Sequence, residues 1–195
     1  GIPILLEIQC RSVSSAFLES RSRTRPRLLL PLVSLREEVD YLISMIRSHP
    51  EWGCSEFQLG VMLETPRACF LTRKFMESGA DFFSFGTNDL TQFSWGLSRD
   101  DASSSVLPKY RQSGVLADNP FQVMDKEGVG QLVRIAVEDG RAFYENVSFS
   151  ICGEQASDAD STRFFINTGI NILSVTANLV PQTISSVARA LESLR

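Results

Sequence analysis

The sequence predicts an α/β fold in which short buried strands alternate with helices, and three observations support this prediction. Apolar residues come in short continuous runs, which are typical of strands covered on both faces of a sheet. Helix-start signals follow several of these runs, and turn residues end most of the helices. Regular alternation of strand and helix indicates a parallel sheet or a barrel with helices outside. We count five strands, whereas a closed (β/α)₈ barrel needs eight, so the pattern allows an open sheet or the later part of a barrel.

Composition sets the general class of the protein. The chain has 195 residues, 43% of them hydrophobic and 22% charged, which is typical of a globular domain with a substantial core. These values exclude a disordered chain and a small disulfide-stapled protein, and no apolar run is long enough to span a bilayer. The net charge of -4 argues against nucleic-acid binding, because phosphate contacts need a basic surface. We expect residues 1–195 to form a single domain and the chain, which begins with Gly1, to be a piece of a longer protein.

The cysteine and histidine content narrows the chemistry. The cysteines lie far apart without a C-x-x-C pair, which predicts reduced thiols rather than disulfides. We therefore expect an intracellular protein, in the cytoplasm or in another reducing compartment such as an organelle stroma. His49 is the only histidine, so a histidine-rich zinc site is excluded. Its loop, Ser48–Pro50, predicts a surface position for it.

The amino-terminal third contains a helix, a basic connector and the first β/α unit. Between Ile2 and Glu19 apolar residues recur at helical spacing, at Leu5, Leu6, Ile8, Val13, Phe17 and Leu18. The next segment predicts a solvated connector, or else a strip that binds phosphate or a partner, because arginine alternates at Arg21, Arg23, Arg25 and Arg27. The run Leu28–Val33 predicts the first strand, buried on both faces. Ser34–Glu37 predicts a capping box, and the helix that follows has an apolar stripe at Val39, Leu42, Ile43 and Ile46.

Four further strands follow, with helices between them. The predicted strands are Gly60–Leu63, Phe82–Phe85, Val147–Cys152 and Ile170–Val175. Thr65 as N-cap and Pro66 in the first turn predict a helix that runs to about Glu77. Asp125 is predicted to cap a helix with apolar positions at Leu132, Ile135 and Ala136. The last two helices are predicted from about Asp158 to Asn167 and from Pro181 onward.

Chemically reactive side chains follow three of the predicted strands. Glu64 follows the second strand, Gly86-Thr87-Asn88-Asp89 follows the third, and Cys152-Gly153-Glu154 ends the fourth. Ligands of parallel α/β architectures bind at the carboxyl ends of the strands. We therefore expect two carboxylates, an amide and a thiol to face one pocket.

Glu64 and Asp89 are suited to binding a hard divalent cation. Mg²⁺ takes one or two carboxylates and leaves its other positions to water and substrate oxygens. Structural alternatives stay open for each residue, because Glu64 could be a charge near a helix amino terminus and Asp89 a simple cap. Cys152 could likewise be a buried thiol without a chemical role.

Three segments resemble one enzyme family. Phe85–Gln92 is similar to the signature of the phosphoenolpyruvate-utilising enzymes, and Gly60–Arg67 and Ile151–Glu154 match the same family in the same order. Within this family the chain most resembles the pyruvate, phosphate dikinases. That closer resemblance is carried by Gly96–Asp101, Leu107–Tyr110, Asn119–Phe121 and Asp125–Leu132.

The resemblance implies a (β/α)₈ TIM-type barrel of which this chain supplies roughly the last five β/α units. Residues 1–195 would be the carboxy-terminal part of a phosphoenolpyruvate/pyruvate-binding domain that is incomplete at its amino terminus. Glu64 and Asp89 would hold Mg²⁺, and Arg99 would contact the phosphoryl group. Cys152 would be the catalytic acid/base at C3 of the pyruvate enolate. The substrate would contact Glu64, Gly86, Thr87, Asn88, Asp89 and Arg99.

The resemblance also implies a reaction and its partners. The full-length enzyme would transfer a phosphoryl group reversibly between a phosphohistidine on another domain and pyruvate. Overall, ATP, pyruvate and phosphate would give AMP, phosphoenolpyruvate and diphosphate. The partners would be the ATP-binding and phosphohistidine domains of the same protein, with a homodimer as the assembly. We expect this chain alone not to complete a catalytic cycle.

Two departures from the dikinase pattern keep other functions open. Gln155-Ala156-Ser157 stands where dikinases have His-Gly-Gly, which restricts a loop that needs positive φ or close approach of substrate. Val175–Leu179 replaces a family stretch containing cysteine, proline and arginine. Gln155-Ala156-Ser157 motivates one alternative, a diverged, non-catalytic domain that binds Mg²⁺ and pyruvate. Another family member such as a phosphoenolpyruvate synthase is a second alternative. A Mg²⁺-dependent lyase or aldolase on a related barrel would also use a Glu and an Asp at strand ends, but the Cys152 motif and the dikinase-like segments argue against it.

Overall fold

The sheet consists of five parallel strands that follow one another in chain order. The computed structural model describes residues 2–21 and 24–193, with strands β1 (Arg27–Leu30), β2 (Gln58–Leu63), β3 (Phe82–Gly86), β4 (Ser148–Cys152) and β5 (Ile172–Ser174). Each strand pairs in parallel with the next, and the order runs from β1 to β5 without reversal. A doubly wound sheet reverses its strand order at a switch point, so this sheet is part of a TIM-type barrel. The predicted α/β class and its five strands are confirmed.

Ten α-helices lie within the described residues, most of them between consecutive strands. They are α1 (Ile2–Ser20), α2 (Arg36–Ser48), α3 (Pro66–Cys69), α4 (Thr72–Glu77), α5 (Thr87–Trp95), α6 (Arg99–Ser104), α7 (Val106–Gln112), α8 (Val129–Phe143), α9 (Ala159–Thr168) and α10 (Val180–Glu192). Short 3₁₀ helices occupy Pro50–Trp52, Glu154–Ser157 and Ala177–Leu179. In the part of the chain that the structure describes, no helix is long and apolar enough to cross a membrane.

The central strands have two unlike faces, because successive side chains of a strand point to opposite sides. One face is fully buried and packs with the helices into one core, through Leu59, Val61, Leu63, Phe83, Phe85, Phe149 and Ile151. The ring of Phe149 stacks on Phe83 and Phe85 at centroid distances of 5.5 and 5.9 Å. The other face carries Met62, Ser84, Ser150 and Cys152, of which only Ser84 is buried. This second face leads to the carboxyl edge where the candidate site lies.

The outer strands are shorter and more exposed than the apolar runs predicted. β1 covers only Arg27–Leu30, and Leu30 is its one buried residue. β5 covers only Ile172–Ser174, and the Ile172 side chain is exposed. Each of these strands pairs on one side only within the described residues. Burial on both faces, as predicted for the first strand, is wrong, because Arg27 is exposed and Leu28 and Leu29 are only half-buried.

The amino-terminal helix forms where predicted, but only Leu6 and Phe17 of its predicted apolar stripe pack against the core. Leu5, Ile8 and Leu18 of the predicted stripe are exposed. Cys10 is buried instead, and the Phe17 ring meets Phe57 edge to face at 5.7 Å. Of the predicted basic connector, Arg23 lies outside the described residues.

Two of the predicted helix starts differ in detail from the observed ones. The capping box assigned to Ser34–Glu37 is wrong, because α2 begins after Leu35 and the Glu38 carboxylate accepts the N–H groups of Ser34 and Leu35. The helix predicted from Pro66 to Glu77 is two helices, α3 and α4. The second helix has its own start, because the Asp139 carboxylate accepts the Arg73 N–H at 2.8 Å.

The region between β3 and α8 contains three helices, α5, α6 and α7, that the apolar pattern of the sequence did not predict. α5 begins at Thr87, directly after β3, and α6 and α7 follow it. Asp125 accepts the N–H groups of Gly128 and Val129 at the start of α8, as predicted. The apolar position assigned to Ile135 is wrong, because this side chain is exposed and Val133 and Val137 are buried instead.

Candidate active site

The predicted site residues come together at the carboxyl edge of the sheet. Glu64 follows the last residue of β2, and Cys152 is the last residue of β4. Asp89 lies in the first turn of α5, immediately after β3. The strand register pairs Gly86 with Cys152, which fixes the relative height of the two strand ends. Three separate strands therefore deliver two carboxyl groups and a thiol to one place.

Glu64 is a buried carboxyl group with one strong hydrogen bond. Its side chain is 4% exposed, and its Oε1 accepts the N–H of Leu32 at 2.6 Å. Burial raises the pKa of Glu64, the Leu32 hydrogen bond opposes this shift, and the nearby Asp89 raises the pKa further. Leu32 has φ +52, which is uncommon for a non-glycine residue. In this strained conformation the Leu32 N–H points at the Glu64 carboxylate.

Gly86 makes room for the Glu64 carboxylate. A Cβ atom at Gly86 would lie 2.7 Å from Glu64 Oε2 and 2.9 Å from Glu64 Cβ. Real Cβ atoms do not approach other atoms so closely, so a side chain at this position would displace Glu64. Glu64 can therefore take its position only because residue 86 has no side chain.

Asp89 is linked to Arg99 through the Gln92 amide. Asp89 Oδ1 accepts the Gln92 Nε2–H at 2.8 Å, and Gln92 Oε1 accepts the Arg99 backbone N–H at 2.8 Å. The Arg99 guanidinium forms an ion pair with Glu154, the residue two positions after Cys152. Both side chains of this pair are partly exposed, so the guanidinium is held at the rim of the site and can exchange partners.

Cys152 is a protonated thiol in an acidic environment. Its Sγ donates to the Phe85 carbonyl oxygen at 3.3 Å. Burial raises the pKa of this thiol, a hydrogen bond with Ser84 lowers it, and the charges of Glu64 and Asp89 raise it. Glu64 and Asp89 thus lie near enough to act on the thiol, which is the arrangement expected of a single site.

Thr87 and Gln155 connect the loop after β4 to α5. The buried Thr87 hydroxyl lies 2.8 Å from the Cys152 carbonyl oxygen and 2.6 Å from Gln155 Oε1. Gln155 is fully buried, and its Nε2–H donates to the Pro120 carbonyl oxygen at 2.9 Å. The Thr87 hydroxyl is thus occupied by protein groups, and a substrate contact at Thr87 would have to use its backbone.

Gly153 is the residue in this loop that needs to be glycine. Its φ is +118, and a Cβ atom there would lie 2.2 Å from Thr87 Oγ1. Ala156 and Ser157, which stand where dikinases have two glycines, lie in the 3₁₀ helix Glu154–Ser157 without positive φ. The loop therefore accommodates this departure from the family pattern without backbone strain.

Replacing Gly153 by alanine should destabilise the protein by about 2–4 kcal/mol, because the substitution adds a clash to an unfavourable φ. Gly114→Ala is a matched control, since Gly114 also has positive φ (+73) but nothing lies within 4 Å of its Cβ position. We expect this control to lose only about 1 kcal/mol. Thermal or urea unfolding measures both values, and equal losses would show that the contact with Thr87 is unimportant.

A cavity of about 390 Å³ opens beside these residues. Its walls include Asn88, Gly153, Ser174 and Thr176 at the ends of β3, β4 and β5. The Asn88 Oδ1 atom is buried and has no hydrogen-bond partner among the described residues. A buried acceptor without a donor is uncommon, so this amide is available to a ligand. Glu64, Asp89 and Cys152 do not line the cavity, which lies toward the β5 side of the site.

The donor set fits a metal ion that is held by few protein ligands. Within residues 2–21 and 24–193, no group of three or more His, Cys, Asp or Glu side chains is gathered closely enough to hold a metal ion. The pair Glu64 and Asp89 provides two mutually repelling carboxyl groups, which a divalent cation would neutralise. This matches Mg²⁺, which is bound by one or two carboxylates together with substrate oxygens and water.

Sequence reasoning missed three residues that position the site. Leu32 gives no sequence signal, because its role depends on a backbone conformation. Gln92 stands three residues after Asp89, so a helix beginning at Thr87 would have predicted their contact. Gln155 was interpreted only as a departure from the family pattern. In the structure it is buried and links Thr87 to the Pro120 carbonyl oxygen by hydrogen bonds. His49 lies outside the site, where it pairs with Glu51 and stacks on Trp52.

This chain is a segment of a parallel β/α barrel with acidic and thiol groups at the carboxyl edge of its sheet. These features are typical of barrel enzyme domains, whose ligands bind at the strand ends. A sequence model described as "PEP-utilising enzyme, PEP-binding domain" matches residues 3–192. The chain belongs to this family.

Curated relatives agree with this assignment. The chain is 37% identical over 188 residues to "Pyruvate, phosphate dikinase, chloroplastic" of Mesembryanthemum crystallinum, covering 92% of this chain and 20% of the relative. It is 38% identical over 198 residues to "Pyruvate, phosphate dikinase" of Rhizobium meliloti, covering 96% of this chain and 22% of the relative. The chain thus spans about one fifth of the length of these relatives.

Proposed function

We propose that the protein is a pyruvate, phosphate dikinase in which this chain supplies most of the phosphoenolpyruvate/pyruvate site. The observation that carries the proposal is the convergence of Glu64, Asp89 and Cys152 from the ends of three adjacent strands. A pair of carboxylates beside a protonated thiol suits an enolate, which needs its negative charge stabilised and a proton supplied at carbon. The likeness to dikinases over more than 90% of the chain supports the same reaction.

Glu64 and Asp89 would hold Mg²⁺. When bound there, Mg²⁺ stabilises the negative charge of the enolate and so makes a methyl proton of pyruvate removable. The role of the protein is to hold the two carboxylates in place. Leu32 fixes Glu64 from one side, Gly86 leaves space for it, and Gln92 fixes Asp89.

Cys152 would transfer the proton. In the direction that forms pyruvate, C3 of the enolate takes the proton from Cys152 Sγ, and in the opposite direction the thiolate takes it back. Burial keeps the thiol protonated and ready to donate. The Phe85 carbonyl that accepts its hydrogen bond fixes the Sγ atom at the end of β4.

Asn88 and Arg99 would bind the substrate. The unpartnered Asn88 Oδ1 offers an acceptor to the ligand. The Arg99 guanidinium would leave Glu154 for the phosphoryl group, since arginine binds phosphate with two parallel hydrogen bonds. Without a phosphoryl group, Glu154 keeps the guanidinium near the site.

The full-length protein tests the proposal. We expect ATP, inorganic phosphate and pyruvate to give AMP, diphosphate and phosphoenolpyruvate, with all three substrates and Mg²⁺ required. Phosphoenolpyruvate formation that does not need added phosphate would favour a synthase. Binding of pyruvate without turnover would favour the non-catalytic alternative, although the unstrained Gly153–Ser157 loop gives no backbone reason to expect it.

Replacing Arg99 by alanine should raise the KM for phosphoenolpyruvate by about 10- to 100-fold, the value of a charge-assisted hydrogen bond to phosphate. The KM for pyruvate, which has no phosphoryl group, should change by less than about 3-fold. Arg111→Ala is a control, because Arg111 is an exposed arginine on α7. Steady-state kinetics of the full-length protein measure both constants, and an equal rise for both substrates would contradict the assigned role.

A further inference from the structure

A groove between α9 and α10 combines basic side chains with a buried serine hydroxyl. Its volume is about 200 Å³, and its walls include Asp160 and Arg163 of α9, Ser186 and Arg189 of α10, and Ser193 directly after α10. It shares no residue with the cavity beside the candidate active site. Neither the family assignment nor the proposed reaction gives this groove a role.

Ser186 is the unusual residue of the groove. Its side chain is 4% exposed, and its Oγ atom is buried without a hydrogen-bond partner among the described residues. Neighbouring hydroxyls of α10 bond to the helix backbone, Thr183 to the Leu179 carbonyl at 3.0 Å and Ser185 to the Pro181 carbonyl at 3.1 Å. A buried hydroxyl without a partner is destabilising, so a ligand that accepts its hydrogen would remove that penalty.

The charges around Ser186 favour an anion. Arg189 has no carboxylate within ion-pair distance in residues 2–21 and 24–193, and its one contact, with the Ser185 carbonyl, is long at 3.4 Å. Arg163 pairs with Asp160 at 2.8 Å, but both side chains are exposed and the guanidinium has further donors. The groove also lies at the amino-terminal first turn of the ten-residue helix α9, where the helix dipole favours an anion and where the Asp158 carboxylate already accepts the Ser161 N–H.

We propose that this groove binds a phosphate group, as inorganic phosphate or as a phosphate monoester. The Ser186 hydroxyl donates to one phosphate oxygen, and the Arg189 and Arg163 guanidinium groups pair with the others. Arginine matches a tetrahedral phosphate because its N–H donors lie in a rigid fork. Asp160 works against binding, because its carboxylate repels the anion and competes for Arg163.

The test is the binding of inorganic phosphate to the full-length protein. An Arg99→Ala background weakens phosphate binding at the candidate active site. Phosphate is also a substrate of the proposed reaction, so isothermal titration compares groove variants within this one background, where every other phosphate site is the same and the difference reports on the groove. We expect Arg189→Ala to weaken binding at least tenfold and Ser186→Ala about threefold or more. Ser185→Ala and Arg111→Ala are matched controls and should change the affinity less than twofold. Competition by methyl phosphate would support a phosphate monoester as ligand, and failure to compete would support the free ion.

Two further readouts separate binding from folding. Asp160→Asn removes the opposing charge and should tighten phosphate binding several-fold. Without phosphate, Ser186→Ala should unfold at the same temperature as the wild type or higher, because it removes a buried unsatisfied hydroxyl. Phosphate should then raise the unfolding temperature of the wild type more than that of this variant. Unchanged phosphate affinity in both Arg189→Ala and Ser186→Ala would overturn the proposal.

Discussion

Replacing Cys152 by alanine should slow the exchange of pyruvate's methyl protons by about 10²- to 10⁴-fold in the full-length protein, the usual contribution of a general acid/base. The thiol lies at the end of β4, where burial and the charges of Glu64 and Asp89 raise its pKa. The only histidine, His49, is engaged with Glu51 and Trp52 outside the site. Glu154 lies at the exposed rim of the site and pairs with Arg99, so we expect neither residue to replace the thiol.

Proton exchange into solvent is measured by NMR in deuterated buffer, with matched cysteine controls. Cys152→Ser should be as slow as Cys152→Ala, because a serine hydroxyl is a far weaker acid than a thiol. Cys69→Ala removes another buried thiol, whose pKa burial raises to about 12, and should leave the exchange intact. In the proposed dikinase, ATP-dependent phosphorylation of a histidine on another domain should persist in every variant. Exchange at near wild-type rate in Cys152→Ala would make this residue a buried thiol without a role.

Replacing Glu64 by glutamine or Asp89 by asparagine should lower the rate of phosphoenolpyruvate formation by more than about 10²-fold, because metal-ion stabilisation of the enolate is worth several kcal/mol. Each substitution removes one of the two carboxyl groups that we propose hold the metal ion. Raising the Mg²⁺ concentration should restore part of the activity. Wild-type rates in either variant would contradict the metal assignment.

The Glu64→Gln variant should lose this activity without losing stability. Burial raises the pKa of Glu64, so the folded protein binds this proton more tightly than the unfolded chain. The metal-free wild type therefore loses stability as pH rises from the unfolded pKa through the folded one, when a buried charge forms beside Asp89. Glutamine has no charge and keeps an oxygen for the Leu32 N–H. At pH 8 we expect it to unfold at a higher temperature than the wild type, as measured by thermal denaturation without metal.

The strand pattern was predictable because strands buried between helices leave continuous apolar runs. β2, β3 and β4 all lie within two residues of their predicted bounds. The outer strands were predicted too long, because apolar runs such as Leu28–Val33 extend past the last paired residue: Pro31 and Leu32 are exposed, and Val33 is buried without being paired in the sheet. Short helices such as α6 and α7, which pack mainly on each other around a small separate core, left no periodic signal.

The positions of the site residues were predictable, but their surroundings were not. Glu64, Asp89 and Cys152 were found because parallel strands end at one edge. The hydrogen bond from Leu32 depends on a left-handed backbone, and the link between Thr87 and Gln155 joins residues far apart in the chain. We expected the loop Gly153–Ser157 to need further glycines. It does not need them, because Gly153 is the one residue of this loop with a positive φ.

The most direct test of the proposed site is the binding of Mn²⁺ in the presence and absence of oxalate, a planar mimic of the pyruvate enolate. With only two carboxyl groups from the protein, Mn²⁺ alone should bind weakly, and oxalate should supply the missing oxygen ligands. Titration followed by electron paramagnetic resonance should show Mn²⁺ affinity rising at least about tenfold with oxalate in the wild type. Glu64→Gln and Asp89→Asn should lose this gain. Mn²⁺ affinity that is independent of oxalate, or unchanged in both variants, would contradict a metal-enolate site at these strand ends.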